Sequence, residues 1–161
     1  MSVTSIDKDL DTLCLTVVAD FDAPIERVWQ LWADPRQLER WWGPPTYPST
    51  FEQHDLTPGG QVTYLMTGPD GDTPRGWWRV VAVDPPTSLT FVDGFADQDG
   101  TPLVDMPTSS VSMELTEHQG GTRMELRSVF ASRAQMEQIL DMGAAEGLRQ
   151  SVDQMDGLLA R

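Results

Sequence analysis

Two charged residues, Arg79 and Asp93, interrupt otherwise apolar runs and are the sharpest candidates for a polar site. If residues 77–83 and 89–95 pair as antiparallel strands with matched apolar faces, Arg79 lies opposite Asp93 on the inward face. A buried ion pair is costly unless it also meets a polar group of a ligand. The sequence therefore predicts that the pair anchors a ligand carboxylate, carbonyl or hydroxyl. The alternative is a twist or bulge near Asp93 that turns both side chains outward.

The remaining reactive side chains offer little support for catalysis or metal binding. His54 and His118 are far apart in sequence and lack the spacing of zinc ligands, and His118 falls in a predicted hairpin loop. Cys14 alternates against the apolar face of its strand and has no evident activating partner, so we expect an inert thiol. The sequence contains no glycine-rich phosphate loop or nucleophile elbow. We therefore expect neither a metal nor a cofactor.

Tryptophan and methionine supply further candidate binding residues. Trp41 and Trp42 end the second predicted helix just before a proline-rich loop, where aromatic side chains can rim a pocket mouth. Packing of the helix against the sheet is the competing explanation, and we favour it for one of the two. The sequence also contains 8 Met. Methionine side chains adapt to varied apolar shapes, but they also fill ordinary gaps in a core.

The charge balance excludes several classes of partner. Among 161 residues, 25 Asp and Glu outnumber 11 Lys and Arg, which gives a net charge of −14. Such an acidic surface repels phosphate backbones and anionic membranes, so we expect neither nucleic acid nor membrane insertion. Residues 1–11 lack the pattern of a signal peptide, and one cysteine fits a reducing compartment. We predict a cytoplasmic protein with one domain over residues 1–161 and a frayed segment over residues 1–10.

The predicted elements describe an antiparallel sheet covered by one helix. A strand over residues 13–21 precedes two short helices that begin near Pro24 and Pro35, and about six further strands follow, joined by short loops. Sequential strands with short connections favour an antiparallel meander. Apolar residues spaced by three and four over residues 134–159 predict a long C-terminal helix, the only element large enough to cover the apolar face of the sheet. The fold class is therefore α+β.

Gly143 and Gly147 lie one turn apart on the same side of the predicted long helix. Each costs about 1 kcal/mol of helix propensity relative to alanine, so a specific reason for them is expected. One explanation is close packing of a strand or loop against the glycines, and we favour it because conspicuous glycines usually serve packing. The other is a groove left open for a ligand.

A series of short motifs resembles the START-like (SRPBCC) proteins related to the activator of Hsp90 ATPase. The resemblance covers residues 13–160 and implies a helix-grip fold, in which a curved antiparallel sheet wraps around the C-terminal helix and encloses a cavity. Leu148 stands where the family usually has tryptophan. This change either enlarges the cavity or is offset by Trp77, Trp78 or Met136. The matching residues are Phe21 to Trp29, Trp32, Asp34-Pro35, Trp41-Trp42-Gly43-Pro44, Gly59-Gly60, Asp84-Pro85-Pro86, Leu89-Thr90-Phe91, Gly121-Thr122-Arg123 and Glu146-Gly147-Leu148.

The resemblance and the tryptophan and methionine content together predict binding of a small, mainly apolar molecule in the cavity. One alternative is a cyclase- or hydratase-like enzyme that uses Arg79, Asp93, His54 or Tyr64 as acid–base groups inside the cavity. Another is a co-chaperone-like protein-binding domain, which requires an exposed apolar patch. A homodimer is compatible with the sequence. The predicted ligand-binding residues are Trp41, Trp42, Tyr64, Met66, Trp77, Arg79, Phe91, Asp93, Met113, Met124, Leu140, Gly143 and Gly147.

Overall fold

Eight antiparallel strands form one sheet in a computed structural model that describes residues 2–160. The order across the sheet is β1-β2-β8-β7-β6-β5-β4-β3. The strands are β1 Val3–Asp9, β2 Cys14–Phe21, β3 Ser49–His54, β4 Gln61–Met66, β5 Arg75–Asp84, β6 Ser88–Ala96, β7 Ser109–His118 and β8 Gly121–Phe130. The helices are α1 Ile25–Ala33, α2 Pro35–Leu38, α3 Arg133–Asp141, α4 Ala144–Asp153 and α5 Met155–Leu159. The curved sheet and the C-terminal helices form the predicted α+β helix-grip fold.

The two short helices begin where the prolines predict. α1 follows Pro24 and buries Val28, Trp29 and Trp32 against the sheet. α2 has Pro35 in its first turn, and the Asp34 carboxylate caps it by accepting a hydrogen bond from the backbone N–H of Arg36 at 2.9 Å. No helix of residues 2–160 is long and apolar enough to span a lipid bilayer.

The N-terminal segment is ordered into β1, so the predicted frayed segment over residues 1–10 is wrong for residues 3–9. β1 pairs antiparallel with β2 from Val3 opposite Ala19 to Asp9 opposite Cys14. The backbone N–H of Val3 also donates to the Asp153 carboxylate of α4 at 3.3 Å. This strand cannot be recognised from apolar alternation. An edge strand is held by backbone hydrogen bonds to a single neighbour, so it can keep polar side chains in solvent. Residue 1 lies outside the described residues.

The C-terminal helical region is divided into three helices and is not the single helix that the sequence predicts. α3 ends at Asp141, and Gly143 follows with φ of 85°, in the left-handed region that favours glycine. A second break at Gln154 separates α4 from α5. Met136, Val152 and Met155 are all fully buried, so the three helices still cover the sheet as one layer.

The pairing of β5 with β6 differs from the predicted register. Val83 lies opposite Leu89 as predicted, but a bulge at Val81 shifts the remaining pairs by one residue. Asp93 therefore lies opposite Trp78, and Arg79 lies opposite Val92. Because side chains alternate between the faces of a strand, a shift of one residue moves Arg79 to the outer face, where it is exposed. The predicted Arg79–Asp93 pair is wrong.

An aromatic cluster attaches the short helices to the sheet. The Trp78 and Phe91 rings stack at 4.1 Å between centroids. Trp42 meets Trp78 edge-on at 4.9 Å, and Trp32 meets Trp41 edge-on at 4.8 Å. Such pairs add about 0.5–1.5 kcal/mol each beyond the area they bury. The cluster fixes the end of α2 and the loop after it, and this placement puts Trp42 at the edge of an internal cavity.

Candidate functional site

A cavity of about 400 Å³ lies between the inner face of the sheet and the helices α3 and α4. Most of its wall is apolar, and small hydroxyl side chains and one acid interrupt that wall. The lining residues are Leu15, Trp42, Gly43, Pro44, Tyr64, Met66, Asp93, Gly94, Phe95, Thr108, Ser109, Val111, Leu126, Ser128, Phe130, Ile139, Met142, Gly143, Ala144, Gly147, Leu148 and Ser151.

The helix side of the cavity is open because two glycines border it. A Cβ built on Gly147 would meet no atom within 4 Å, and the same holds at Gly143. The favoured explanation, in which a strand or loop packs against these glycines, is therefore wrong, and the alternative of an open groove matches the structure. The Ser151 hydroxyl donates to the Gly147 carbonyl at 2.9 Å, so it is held against α4.

The polar centre of the cavity is the Asp93 side chain. Its Oδ1 accepts a hydrogen bond of 3.1 Å from the Tyr64 hydroxyl. Burial raises the pKa of Asp93 to about 7, while the hydrogen bonds from Tyr64 and from the Gly94 amide hold it lower than burial alone would. The part of Asp93 that remains accessible faces the cavity. A carboxyl group of this kind changes its protonation state near neutral pH.

Tyr64 reaches Asp93 because the residue opposite Tyr64 on the intervening strand β5 is a glycine, Gly76. Tyr64 on β4 lies opposite Gly76 on β5, and Asp93 is on β6, the next strand. A Cβ built on Gly76 would overlap the Tyr64 ring at its hydroxyl end. Burial and the neighbouring Asp93 raise the pKa of Tyr64 well above its ordinary value, so the phenol stays protonated and donates.

The indole N–H groups of Trp42 and Trp78 lie near the Tyr64 hydroxyl. Trp42 and Trp78 lie near enough to Tyr64 to offset part of the rise in its pKa. Both indole nitrogens are buried, and within residues 2–160 neither has a hydrogen-bond partner at normal geometry. The Trp42 nitrogen belongs to a residue that lines the cavity.

The described cavity lining contains one acidic side chain and no basic side chain. Of the described lining residues, only Asp93 and Tyr64 can titrate, and none is Lys, Arg or His. The other polar side-chain groups of the lining residues are the indole N–H of Trp42 and the hydroxyls of Thr108, Ser109, Ser128 and Ser151. The wall can therefore accept or donate hydrogen bonds, but it supplies no positive charge.

Of the thirteen predicted ligand-binding residues, the structure brings together six in the cavity lining. They are Trp42, Tyr64, Met66, Asp93, Gly143 and Gly147.

Five others do not line the cavity: four lie in the main core, and Leu140 lies in a second apolar cluster. Trp41 is fully buried and donates from its indole nitrogen to the Leu31 carbonyl at 2.8 Å, so it packs and does not rim the pocket. Leu140 packs with a separate apolar cluster around Met136. The remaining three are fully buried in the main core, namely Phe91, Met113 and Met124.

Trp77 and Arg79 lie on the outer face of the sheet, away from the cavity. The Trp77 ring lies over Gly94 and donates to the Phe95 carbonyl at 3.0 Å. The bulge at Val81 accounts for both positions, since it exchanges the faces of residues 77–80.

The histidines and the cysteine do not contribute to the cavity. His54 Nε2 lies 3.1 Å from the Trp32 carbonyl, and His118 Nε2 lies 3.8 Å from the Asp20 carboxylate. The Cys14 sulfur is 3.4 Å from the Thr16 hydroxyl. Within residues 2–160, no group of three or more His, Cys, Asp or Glu is placed to hold a metal ion. Of the four predicted acid–base residues, only Asp93 and Tyr64 face the cavity.

The small polar part of the wall was not predicted from the sequence. Ser128 follows Met124 and Leu126 at the same alternating positions of β8, so it interrupts an inward apolar face just as Asp93 does. That interruption is a signal that the alternation could have revealed. Met142 and Phe95 could not be assigned in this way, because their positions depend on the helix break and on the end of β6.

Known proteins with this fold include close relatives in sequence. The profile of the family described as "Activator of Hsp90 ATPase homolog 1-like protein" matches residues 22–160. A crystal structure of protein Ms6760 from Mycobacterium smegmatis is 52% identical, covers 98% of this chain and 96% of that one, and has a TM-score of 0.91. A solution NMR structure from Arthrobacter aurescens is 46% identical, with coverage of 99% and 92% and a TM-score of 0.95. No curated protein sequence matches this chain.

Proposed function

Because this chain belongs to the activator of Hsp90 ATPase homolog 1-like family, we propose that it binds a small, mainly apolar molecule in the cavity between sheet and helices. The observation that carries this proposal is the open, mostly apolar space of about 400 Å³ beside Gly147. Ligand pockets in proteins typically enclose roughly 300–1,000 Å³ behind apolar walls with a few placed polar groups. The lining residues are the proposed ligand-binding residues.

Ligand extraction and dye binding test this proposal. Small molecules extracted from the purified native protein should include one bound species that mass spectrometry detects repeatedly. The neutral dye Nile red should bind the native protein with a blue-shifted emission, and the extracted species should displace it. Dye binding that begins only when the protein starts to unfold would contradict the proposal, because it would report exposed core and not a cavity.

A second candidate function is acid–base catalysis in the same cavity, which Asp93 and Tyr64 favour. A carboxyl group with a pKa of about 7, in contact with a phenol donor, can accept or release a proton near neutral pH. Incubation of the extracted molecule with the protein and with Asp93→Asn tests this candidate. A hydratase would add the mass of water, and a cyclase would change the retention time at constant mass. Identical recovery from both proteins would leave binding as the function.

A co-chaperone-like role has less support. It requires a contiguous apolar surface. The well-exposed large hydrophobic side chains of residues 2–160 are distributed over separate elements: Val81 on β5, Val129 on β8, Met142 after α3, and Leu103 and Val104 in the loop before β7. The cytoplasmic location and the homodimer stay predictions.

A further inference from the structure

The cavity wall carries one acid and no cation, which restricts the chemistry of its occupant. Asp93 is the only side chain of the described lining that bears a charge when ionised near neutral pH. Arg79, the cation that the sequence placed beside it, is on the outer face of the sheet. A ligand group that enters this cavity therefore meets a negative or neutral carboxyl group with no protein counter-ion.

The hydrogen bonds of Asp93 leave room for a donor from the ligand. Tyr64 donates to Oδ1, the Gly94 amide is a backbone donor to the same carboxyl group, and no other side chain of residues 2–160 donates to it. The two oxygens of a carboxylate have about four lone-pair positions, so two donors leave acceptor capacity unused. A carboxylate oxygen that is desolvated without a donor is costly. A donor carried by the ligand would remove that cost, and a protonated donor would also neutralise the charge.

A carboxylate, an alcohol and a protonated amine are common head groups of apolar metabolites, and they would interact differently with Asp93. A carboxylate would place a second negative charge beside Asp93 in a desolvated site, so one of the two groups would have to take up a proton. An alcohol could donate one hydrogen bond without any charge interaction. A protonated amine would donate and form an ion pair, and the net charge of −14 would also raise its concentration around the protein.

We infer that the ligand of this cavity is a lipophilic amine, with its ammonium group on the Asp93 carboxylate and its apolar body between the sheet and α4. This inference rests on the proposed binding function and adds the head group. Tyr64 is a positioning residue in this arrangement, because its hydrogen bond to Oδ1 fixes the carboxylate plane. The Asp93 carboxylate makes the direct contact with the ammonium group.

Three probes with one apolar skeleton test the inference: phenylbutylamine, phenylbutanol and phenylbutyrate. Titration calorimetry gives the affinities. It is done at about pH 8, where phenylbutylamine is protonated and the carboxyl groups of phenylbutyrate and of Asp93 are mainly ionised. The amine should bind at least about tenfold more tightly than the alcohol, since a hydrogen bond to a charged group contributes that much, and the acid should bind most weakly. Asp93→Asn should weaken amine binding at least about tenfold and remove the preference for the amine over the alcohol.

Asp7→Asn is the matched control for charge. Asp7 is exposed on the edge strand β1 and does not line the cavity, so this variant should keep the amine preference. Equal loss in both variants would show that the acidic surface attracts the amine, and it would overturn the inference.

The order of affinities in the unaltered protein decides the question even if Asp93→Asn does not fold. Equal binding of all three probes, or tightest binding of the acid, would overturn the amine inference and leave the binding function standing. Failure of all three probes and of Nile red to bind would overturn the binding function itself.

Discussion

The Tyr64 side chain of β4 extends across β5, and its hydroxyl donates a hydrogen bond of 3.1 Å to the Asp93 carboxylate of β6. This bond joins the only two titratable side chains of the described cavity lining. The acid has no cationic partner there, so burial sets its pKa, and the phenol is its only side-chain donor among residues 2–160. This pair and the glycines that make room for the ligand and for Tyr64 lead to four predictions.

Asp93 should make the stability of the unliganded protein decrease as pH rises. Its pKa is about 7 in the folded protein against 3.8 for an ordinary carboxyl group, so the folded state binds more protons than the unfolded state between these values. The free energy of unfolding should therefore fall from about pH 4 to about pH 7 and lose on the order of 1–4 kcal/mol from this group. Above pH 7 the contribution is constant.

Urea denaturation across this pH range measures the effect against Asp93→Asn, which cannot ionise. The variant should gain stability relative to the unaltered protein as pH rises, and Asp7→Asn should show no such gain. A difference between Asp93→Asn and the unaltered protein that does not vary with pH would mean that the carboxyl group titrates normally.

Asp93 should be coupled energetically to Tyr64 and not to Arg79. A double-mutant cycle over Tyr64→Phe and Asp93→Asn should give a coupling of about 1 kcal/mol in chemical denaturation. The cycle over Arg79→Met and Asp93→Leu should give a coupling near zero, because the side chains lie on opposite faces of the sheet. A large coupling in the second cycle would restore the register with Arg79 opposite Asp93.

Gly147→Leu should fill the cavity without destabilising the protein. The new side chain enters open space, and the loss of a helical glycine contributes about 1 kcal/mol of helix propensity. Nile red binding should weaken at least about tenfold because the side chain takes up most of the space that the dye needs.

The matched control is Gly157→Leu, which changes an exposed glycine of α5 that does not line the cavity. It should change helix propensity similarly and leave dye binding intact. Destabilisation of Gly147→Leu by roughly 1–3 kcal/mol, the usual cost of overpacking, would mean that a neighbouring element packs against this glycine.

Gly76→Ala should break the Tyr64–Asp93 hydrogen bond by a direct clash with the Tyr64 ring. The added methyl group overlaps the Tyr64 ring, so the ring must move or the strands must separate, at a cost of roughly 1–3 kcal/mol. Thermal or urea denaturation measures this cost. In a Tyr64→Leu background the same change should cost much less, since the ring is gone. Additive effects of the two substitutions would indicate that the ring does not lie over Gly76.

The sequence alone determined the fold class and pointed to Asp93, but not to the groups around it. Alternating apolar residues and the proline-initiated helices predicted β2 to β8, α1 and α2 in the observed order, because burial of one face requires those periods. Asp93 was identified because a charged group within an apolar run is costly without a purpose, whereas Tyr64 was named only as a candidate acid–base and ligand-binding residue.

The partner of Asp93 was decided only by the tertiary structure. In β5 both faces carry large apolar residues, with Trp77 and Val81 on one side and Trp78 and Val80 on the other. Alternation therefore cannot choose between two registers that differ by one residue. Stacking on Phe91 places Trp78 on the inward face of β5. The bulge at Val81 allows this placement while Val83 stays opposite Leu89.

The space beside Gly147 was likewise decided only in three dimensions. A glycine in a helix lowers propensity whether it faces a strand or a void, so its local sequence is the same in both cases. The void exists because Gly143 adopts a left-handed conformation that separates α3 from α4, and because the sheet opposite presents small side chains such as Ser128. Each of these depends on residues that are distant in sequence and meet only in the folded chain.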